Sequence, residues 1–173
     1  MKTSFIVPGQ PIPKGRPRVT RFGTYTPKRT QQFEASIRRA WEEAGAVRFP
    51  DGEPLFLCVY ARFPIPKRTP KRDAPGMVGT PYLKDHGDID NIVKAVMDAL
   101  NGHAYADDAV IYAVSANKLY NEQAFTVVEI STRGAHHEPT VFRHPRGADS
   151  LRTTRRHRRR VRGGADGRRF RRL

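Results

Sequence analysis

After Arg133 the chain loses every sign of apolar periodicity, so a hydrophobic core has to be built from the residues that precede it. Residues 136–173 carry thirteen arginines against Glu138, Asp149 and Asp166, include the run Arg155-Arg156-His157-Arg158-Arg159-Arg160, and have few aliphatic side chains after Val141. Such a segment cannot bury enough surface to offset the entropy of ordering it. The expectation is therefore one domain over residues 1–134, followed by an Arg-rich, disordered tail over 135–173. A chain of 173 residues leaves room for one domain with a real core and little room for two.

The formal charge of +15 favours a polyanionic partner, because Lys and Arg that neutralise phosphates gain from counterion release. Two thirds of that excess sits in the tail, which reads equally well as a nucleic-acid-binding arm or as an extension without catalytic consequence. No stretch approaches the roughly 20 apolar residues that a bilayer span needs, and Pro8-Gly9 interrupts the opening segment too early for a signal-peptide core. A cytoplasmic protein is expected, with no membrane association. Its single cysteine, Cys58, lies in an apolar run and reads as a small buried hydrophobe.

Along the first 134 residues the periodicity alternates between two and 3.6. Thr3 to Val7 is β-prone, and the prolines of Pro11-Ile12-Pro13-Lys14-Gly15-Arg16-Pro17-Arg18 predict an extended loop. Phe33, Ile37, Ala40, Trp41 and Ala44 then recur at helical spacing, with Gly45 as the stop. Leu55 to Phe63 reads as a mostly buried strand, and residues 64–86 as a basic, mobile loop. Ile89, Ile92, Val93, Val96, Met97 and Leu100 mark a second helix that Asn101-Gly102 ends, and Ala109 to Asn117 with Ala124 to Ser131 predicts a hairpin. The order β-α-β-α-β-β implies an α+β fold, a mixed β-sheet of about four strands with two packed helices.

The anomaly in this basic chain is a concentration of acids at Asp85, Asp88, Asp90, Asp98, Asp107 and Asp108. In Asp88-Ile89-Asp90 an extended backbone would send both carboxylates to one side, where they can share a hard cation, and turn Ile89 into the core. The plainer alternative is that one Asp caps the second helix. Lys94 lies one turn beyond Asp90, placed either for a surface ion pair or to stabilise charge on a reacting phosphate. Asp98 continues that spacing as a salt-bridge partner. Asp107 and Asp108 are adjacent, so on an extended segment only one of them faces the first pair. Spacing alone leaves open whether the two acidic clusters meet.

The segment Asp88-Ile89-Asp90-Asn91-Ile92-Val93-Lys94-Ala95-Val96-Met97-Asp98-Ala99-Leu100, followed by Ala106-Asp107-Asp108-Ala109-Val110-Ile111, resembles the signature of the RusA family of Holliday-junction resolvases. Pro11 to Arg18 and Thr24-Tyr25-Thr26-Pro27 also look like phage-type members, so the similarity covers roughly residues 3–132. The resemblance implies a homodimeric endodeoxyribonuclease that binds four-way junctions and makes paired nicks with Mg²⁺, in DNA recombination and repair. It also implies a bacterial or phage-encoded protein associated with the nucleoid. Asp88, Asp90 and Asp108 would be the metal-site carboxylates, Lys94 the catalytic lysine, and Asn91 and Asp107 supporting residues. Oxygen donors suit Mg²⁺ or Mn²⁺ and argue against structural zinc, for which thiolates are missing. His86 and His103 read as loop or cap residues.

Lys14, Arg16, Arg18, Arg21, Lys28, Arg29, Lys67, Arg68, Lys71 and Arg72 are the candidates for holding the DNA backbone, with solvated loop charge as the alternative for about half of them. Family members often carry Lys-Pro-Asp ahead of the Asp-x-Asp-Asn. This chain instead has Lys84-Asp85-His86-Gly87-Asp88, a longer approach to the first carboxylate. A nuclease for flaps or forks, or a non-catalytic nucleic-acid-binding protein, remains as the alternative.

Overall fold

The computed structural model describes residues 1–16, 18–21, 23–83 and 87–134. In chain order these form β1 (Lys2–Pro8), β2 (Arg18–Thr20), β3 (Gly23–Tyr25), α1 (Lys28–Glu43), β4 (Leu55–Pro64), the short α2 (Ala74–Met77), α3 (Ile89–Leu100), a 3-10 turn (Asp108–Val110), β5 (Ile111–Asn121) and β6 (Phe125–Thr132). Among the described residues the main sheet has four strands in the order β1-β6-β4-β5. β6 pairs antiparallel with both β1 and β4, whereas β4 and β5 run parallel. The expected α+β architecture with a mixed sheet is what forms.

β4 lies between two strands, and its apolar run is buried on both faces. Leu55, Leu57, Val59, Ala61 and Phe63 join the main core with α1 and α3, while Cys58 and Tyr60 join Val127 in a smaller cluster flanked by Phe56 and Phe125. Cys58 is thus the buried hydrophobe its surroundings suggested, and burial pushes its thiol above the ordinary range. α1 buries Phe33, Ile37, Ala40 and Trp41, the stripe read from the spacing. Trp41 meets Phe5 of β1 edge-on with ring centroids 5.8 Å apart, and Phe49 at 6.4 Å. Gly45, at φ +61, then turns the chain out of the helix in a conformation that other residues rarely adopt.

Five features differ from the sequence reading. The hairpin expected from Ala109 to Asn117 and Ala124 to Ser131 does not form, because β4 lies between the two strands and pairs parallel with β5 and antiparallel with β6. The proline-rich stretch leads into a small antiparallel hairpin, with Arg18 opposite Tyr25, where only an extended loop was expected. The 64–86 loop includes the short α2. It is also tied down near its end, because Gly79 and Tyr82 donate to the carbonyls of Tyr120 and Lys118 at 2.9 and 3.0 Å, and Tyr120 donates to Thr80 at 2.9 Å. Backbone pairing along the outer edge of β5 therefore replaces the expected mobility there. Finally, β5 begins at Ile111 and runs to Asn121, because residues 108–110 are taken up by the 3-10 turn. The Arg-rich tail predicted over 135–173 lies outside the described residues.

Ile37 is fully buried at the centre of the α1 stripe. Ile37→Ala should lower unfolding free energy by about 2–5 kcal/mol. Urea denaturation followed by the fluorescence of Trp41 will measure this, with an unchanged denaturant slope if the native fold is retained.

Candidate active site

The backbone just before the acidic helix is held firmly. Gly87 is buried, and a Cβ there would stand 3.2 Å from Phe63 Cζ and from Tyr82 Cε1. Those two rings are themselves stacked, with centroids 3.8 Å apart and an interplanar angle of 12°. Lys118 of β5 donates from its ammonium to the Gly87 carbonyl at 2.8 Å and sits over the Tyr82 ring. The chain therefore enters α3 from a pinned point, whatever the length of the preceding run. Lys84, Asp85 and His86 lie outside the described residues.

From that point Asp88 occupies the N-cap position of α3, with φ −59 and ψ 129. Its carbonyl accepts from the Ile92 N–H at 3.1 Å, but its carboxylate makes no capping bond. The capping alternative therefore does not account for this side chain. Helix begins at Ile89, so the extended-strand geometry expected for Asp88-Ile89-Asp90 is not present, and Ile89 is 36% exposed and not turned into the core. Asp90 is exposed in the first turn, at the end of the helix where aligned N–H groups favour negative charge. Lys94 is exposed one turn later and forms no ion pair with Asp90 among the described residues. Asn91, half-buried, uses its carbonyl to accept from the Lys14 N–H at 2.8 Å.

The second acidic cluster divides by role. Asp107 caps the 3-10 turn, accepting from the Ala109 N–H at 2.8 Å. Asp108 is half-buried in the first turn of that element and makes no such bond. Tyr105 reaches back from the loop after α3, and its hydroxyl donates to the Met97 carbonyl at 3.0 Å. Burial, and then the charges of Asp108 and Asp98, hold that phenol well above its usual range. Both carboxylates thus lie within Coulombic reach of the Tyr105 hydroxyl. Among the described residues no three His, Cys, Asp or Glu side chains gather into a metal-holding group. The donor chemistry of Asp88, Asp90 and Asp108 nonetheless suits a hard cation, since all are carboxylates and none of them caps a helix or turn. His103 lies exposed in the turn after α3.

A family sequence model described as Endodeoxyribonuclease RusA matches residues 8–131. The chain belongs to the RusA endodeoxyribonuclease family. It is also similar to the uncharacterized protein YqaN of Bacillus subtilis (strain 168), with 27% identity over 126 residues that cover 69% of this chain and 88% of that protein. The RusA match ends at residue 131 and so takes in α3, the Asp107-Asp108 turn and β5, but not the Arg-rich tail.

Within this RusA chain the basic candidates are placed unequally. Arg16, Arg21, Lys28, Arg29, Lys67, Arg68, Lys71 and Arg72 are exposed, with Arg72 3.5 Å from Asp73. The side chain of Arg18 is outside what is described. Lys14 departs from the expectation of a phosphate-binding loop residue: its ammonium is paired with Glu34 and, at 2.8 Å, with Asp98. Burial pulls its pKa down, but the hydrogen bonds to Asp98 and Glu34 and their charges outweigh that and hold it above the ordinary lysine value. The sequence reading also passed over Lys118 and Tyr105. A lysine within the apolar run of β5 was the available signal for Lys118, since a half-buried ammonium in a strand needs an acceptor.

Because the space around Gly87 is closed by two stacked rings, Gly87→Val should cost about 1–3 kcal/mol in thermal or urea unfolding. Lys118→Met, which removes the donor to the Gly87 carbonyl, should cost about 1–3 kcal/mol by the same measurement.

Proposed function

We propose that this protein is a divalent-metal-dependent, structure-specific endodeoxyribonuclease that resolves Holliday junctions by paired nicks. The observation that carries the reading is the start of α3, where Asp88 and Asp90 present carboxylates that cap nothing, and Lys94 an ammonium that pairs with neither, inside the RusA-matched region. Asp88 and Asp90 would hold the cation, with Asp108 as the third carboxylate. When bound, Mg²⁺ or Mn²⁺ supplies an activated water and withdraws charge from the scissile phosphate. Lys94 contributes a fixed positive charge beside that phosphate, where negative charge builds during in-line displacement. Asp107 shapes the turn that presents Asp108. The exposed basic residues from Arg16 to Arg29 and from Lys67 to Arg72 hold duplex backbone without reading sequence. A homodimer suits a substrate with near two-fold symmetry and the need for two opposed cuts.

The test is nicking of a synthetic four-way junction, with fork and flap substrates alongside. Purified protein should cut the junction in Mg²⁺ and not in EDTA, and faster than it cuts the fork or the flap. Asp90→Asn and Asp108→Asn should each lower the rate by about 10²–10³-fold. Asp107→Asn, whose amide oxygen can still cap the turn, should lower it least. Nicking that survives EDTA and Asp90→Asn overturns the proposal, and a higher rate on forks or flaps replaces the substrate.

A further inference from the structure

α3 carries Asp90, Lys94 and Asp98 at successive four-residue intervals, so Lys94 has an acid one turn away on each side. Side chains at that spacing are neighbours on the helix surface. Lys94 nevertheless pairs with neither acid among the described residues, and the reason differs on the two sides. Asp90 stands in the first turn, at the positive end of the helix. Asp98 is held by a different lysine, Lys14, at 2.8 Å, and the same ammonium also holds Glu34 of α1.

Lys14 is positioned for this by its backbone. Its N–H donates to the Asn91 carbonyl at 2.8 Å, and the next residue, Gly15, donates to Thr30 Oγ1 of α1 at 3.2 Å. A Cβ on Gly15 would stand 2.9 Å from Pro27 Cγ, so the loop lies closely against the start of α1. Ile12 packs against the main core. The Lys14 side chain is only 19% exposed, and those of its acceptors Glu34 and Asp98 are 14% and 30% exposed. An exposed pair between Lys94 and Asp98 would have to order two mobile side chains in water, in the less favourable lysine-first order. The Lys14 pair forms with its ammonium already fixed by the loop and partly out of solvent.

We infer that Lys14 is a positioning residue that draws Asp98 away from Lys94, leaving the Lys94 ammonium free to meet a DNA phosphate. The inference rests on the proposed role of Lys94 and adds to it a reason why that ammonium is not neutralised by its own helix. It also gives the proline-rich loop a part in the site that differs from direct contact with DNA.

The test reads how much Lys94 contributes to binding of a four-way junction in EDTA, as the dissociation constant against salt concentration, in different backgrounds. In the otherwise wild-type chain, Lys94→Ala should weaken binding and lower the salt slope by about one. In a Lys14→Met background the same change should lower the slope by less than about half as much, because Asp98 has turned to Lys94. Adding Asp98→Asn to Lys14→Met should restore the full Lys94 contribution, although it removes a second member of the structural clamp. Lys14→Arg, which keeps the charge, should behave as wild type. If Lys14→Met does not fold, Lys14→Met/Glu34→Gln is read in its place, since it removes the acid left without its partner. Equal Lys94 contributions in all backgrounds overturn the inference and leave Lys14 a clamp between α1 and α3. No Lys94 contribution in the wild-type chain overturns it from the other side, by removing the proposed role of Lys94 itself.

Discussion

Parallel pairing of β4 with β5 governs where everything else can go. β4 ends at Pro64 and β5 begins opposite Leu55, so the chain has to return along the length of the sheet between them. α3 is that return. Its start lies near the carboxyl ends of the two strands, where Gly87 meets Phe63 and Lys118. Its end lies near their beginnings, where the Phe49 N–H donates to the Ala104 carbonyl at 2.8 Å and Tyr105 folds back to Met97. A twelve-residue helix is about 18 Å long, so the acids before it and the acids after it come from opposite ends of one crossover. After α3 the Asp108 charge reaches the Tyr105 phenol, yet Asp88, Asp90 and Asp108 do not form one closed group among the described residues.

The core was legible in the sequence because it is written as period. The stripe of Phe33, Ile37, Ala40 and Trp41, and that of Ile92, Val96 and Leu100, could only be buried helix faces, and the unbroken apolar run of β4 could only be a strand covered on both sides. The hairpin at Arg18–Tyr25 was not legible, since its strands of three residues are shorter than any periodicity can reveal. Attachment of the 79–82 segment to β5 was hidden for a different reason. Its bonds run through main-chain N–H and C=O groups, which carry no side-chain signature.

The acidic site was legible in residue type and only partly in geometry. Two carboxylates two positions apart share a side only if the backbone is extended, and α3 starts at Ile89, inside that interval. Free side chains at Asp88 and Asp90 therefore do not follow from strand alternation. Asp88 is free because its carboxylate makes no cap, although its carbonyl takes the first helical bond, and Asp90 is free because it stands exposed in the first turn. The doublet was resolved by the opposite kind of observation. Asp107 is identified as the structural member because its carboxylate already has an N–H to accept, which leaves Asp108 as the uncommitted one.

Charge is divided in the same way across the rest of the site. Lys14, Glu34 and Asp98 satisfy one another in partial burial, and Lys118 satisfies a carbonyl, so none of them is available to a phosphate or a cation at low cost. Asp88, Asp90 and Lys94 lie at the surface, where unpaired charge is tolerated because water solvates it. Fixing the Gly87 backbone while leaving the two carboxylates in solvent sets the point from which they reach. The rigidity of this site thus resides in main chain and aromatic packing, and its freedom in the three side chains that carry the charge.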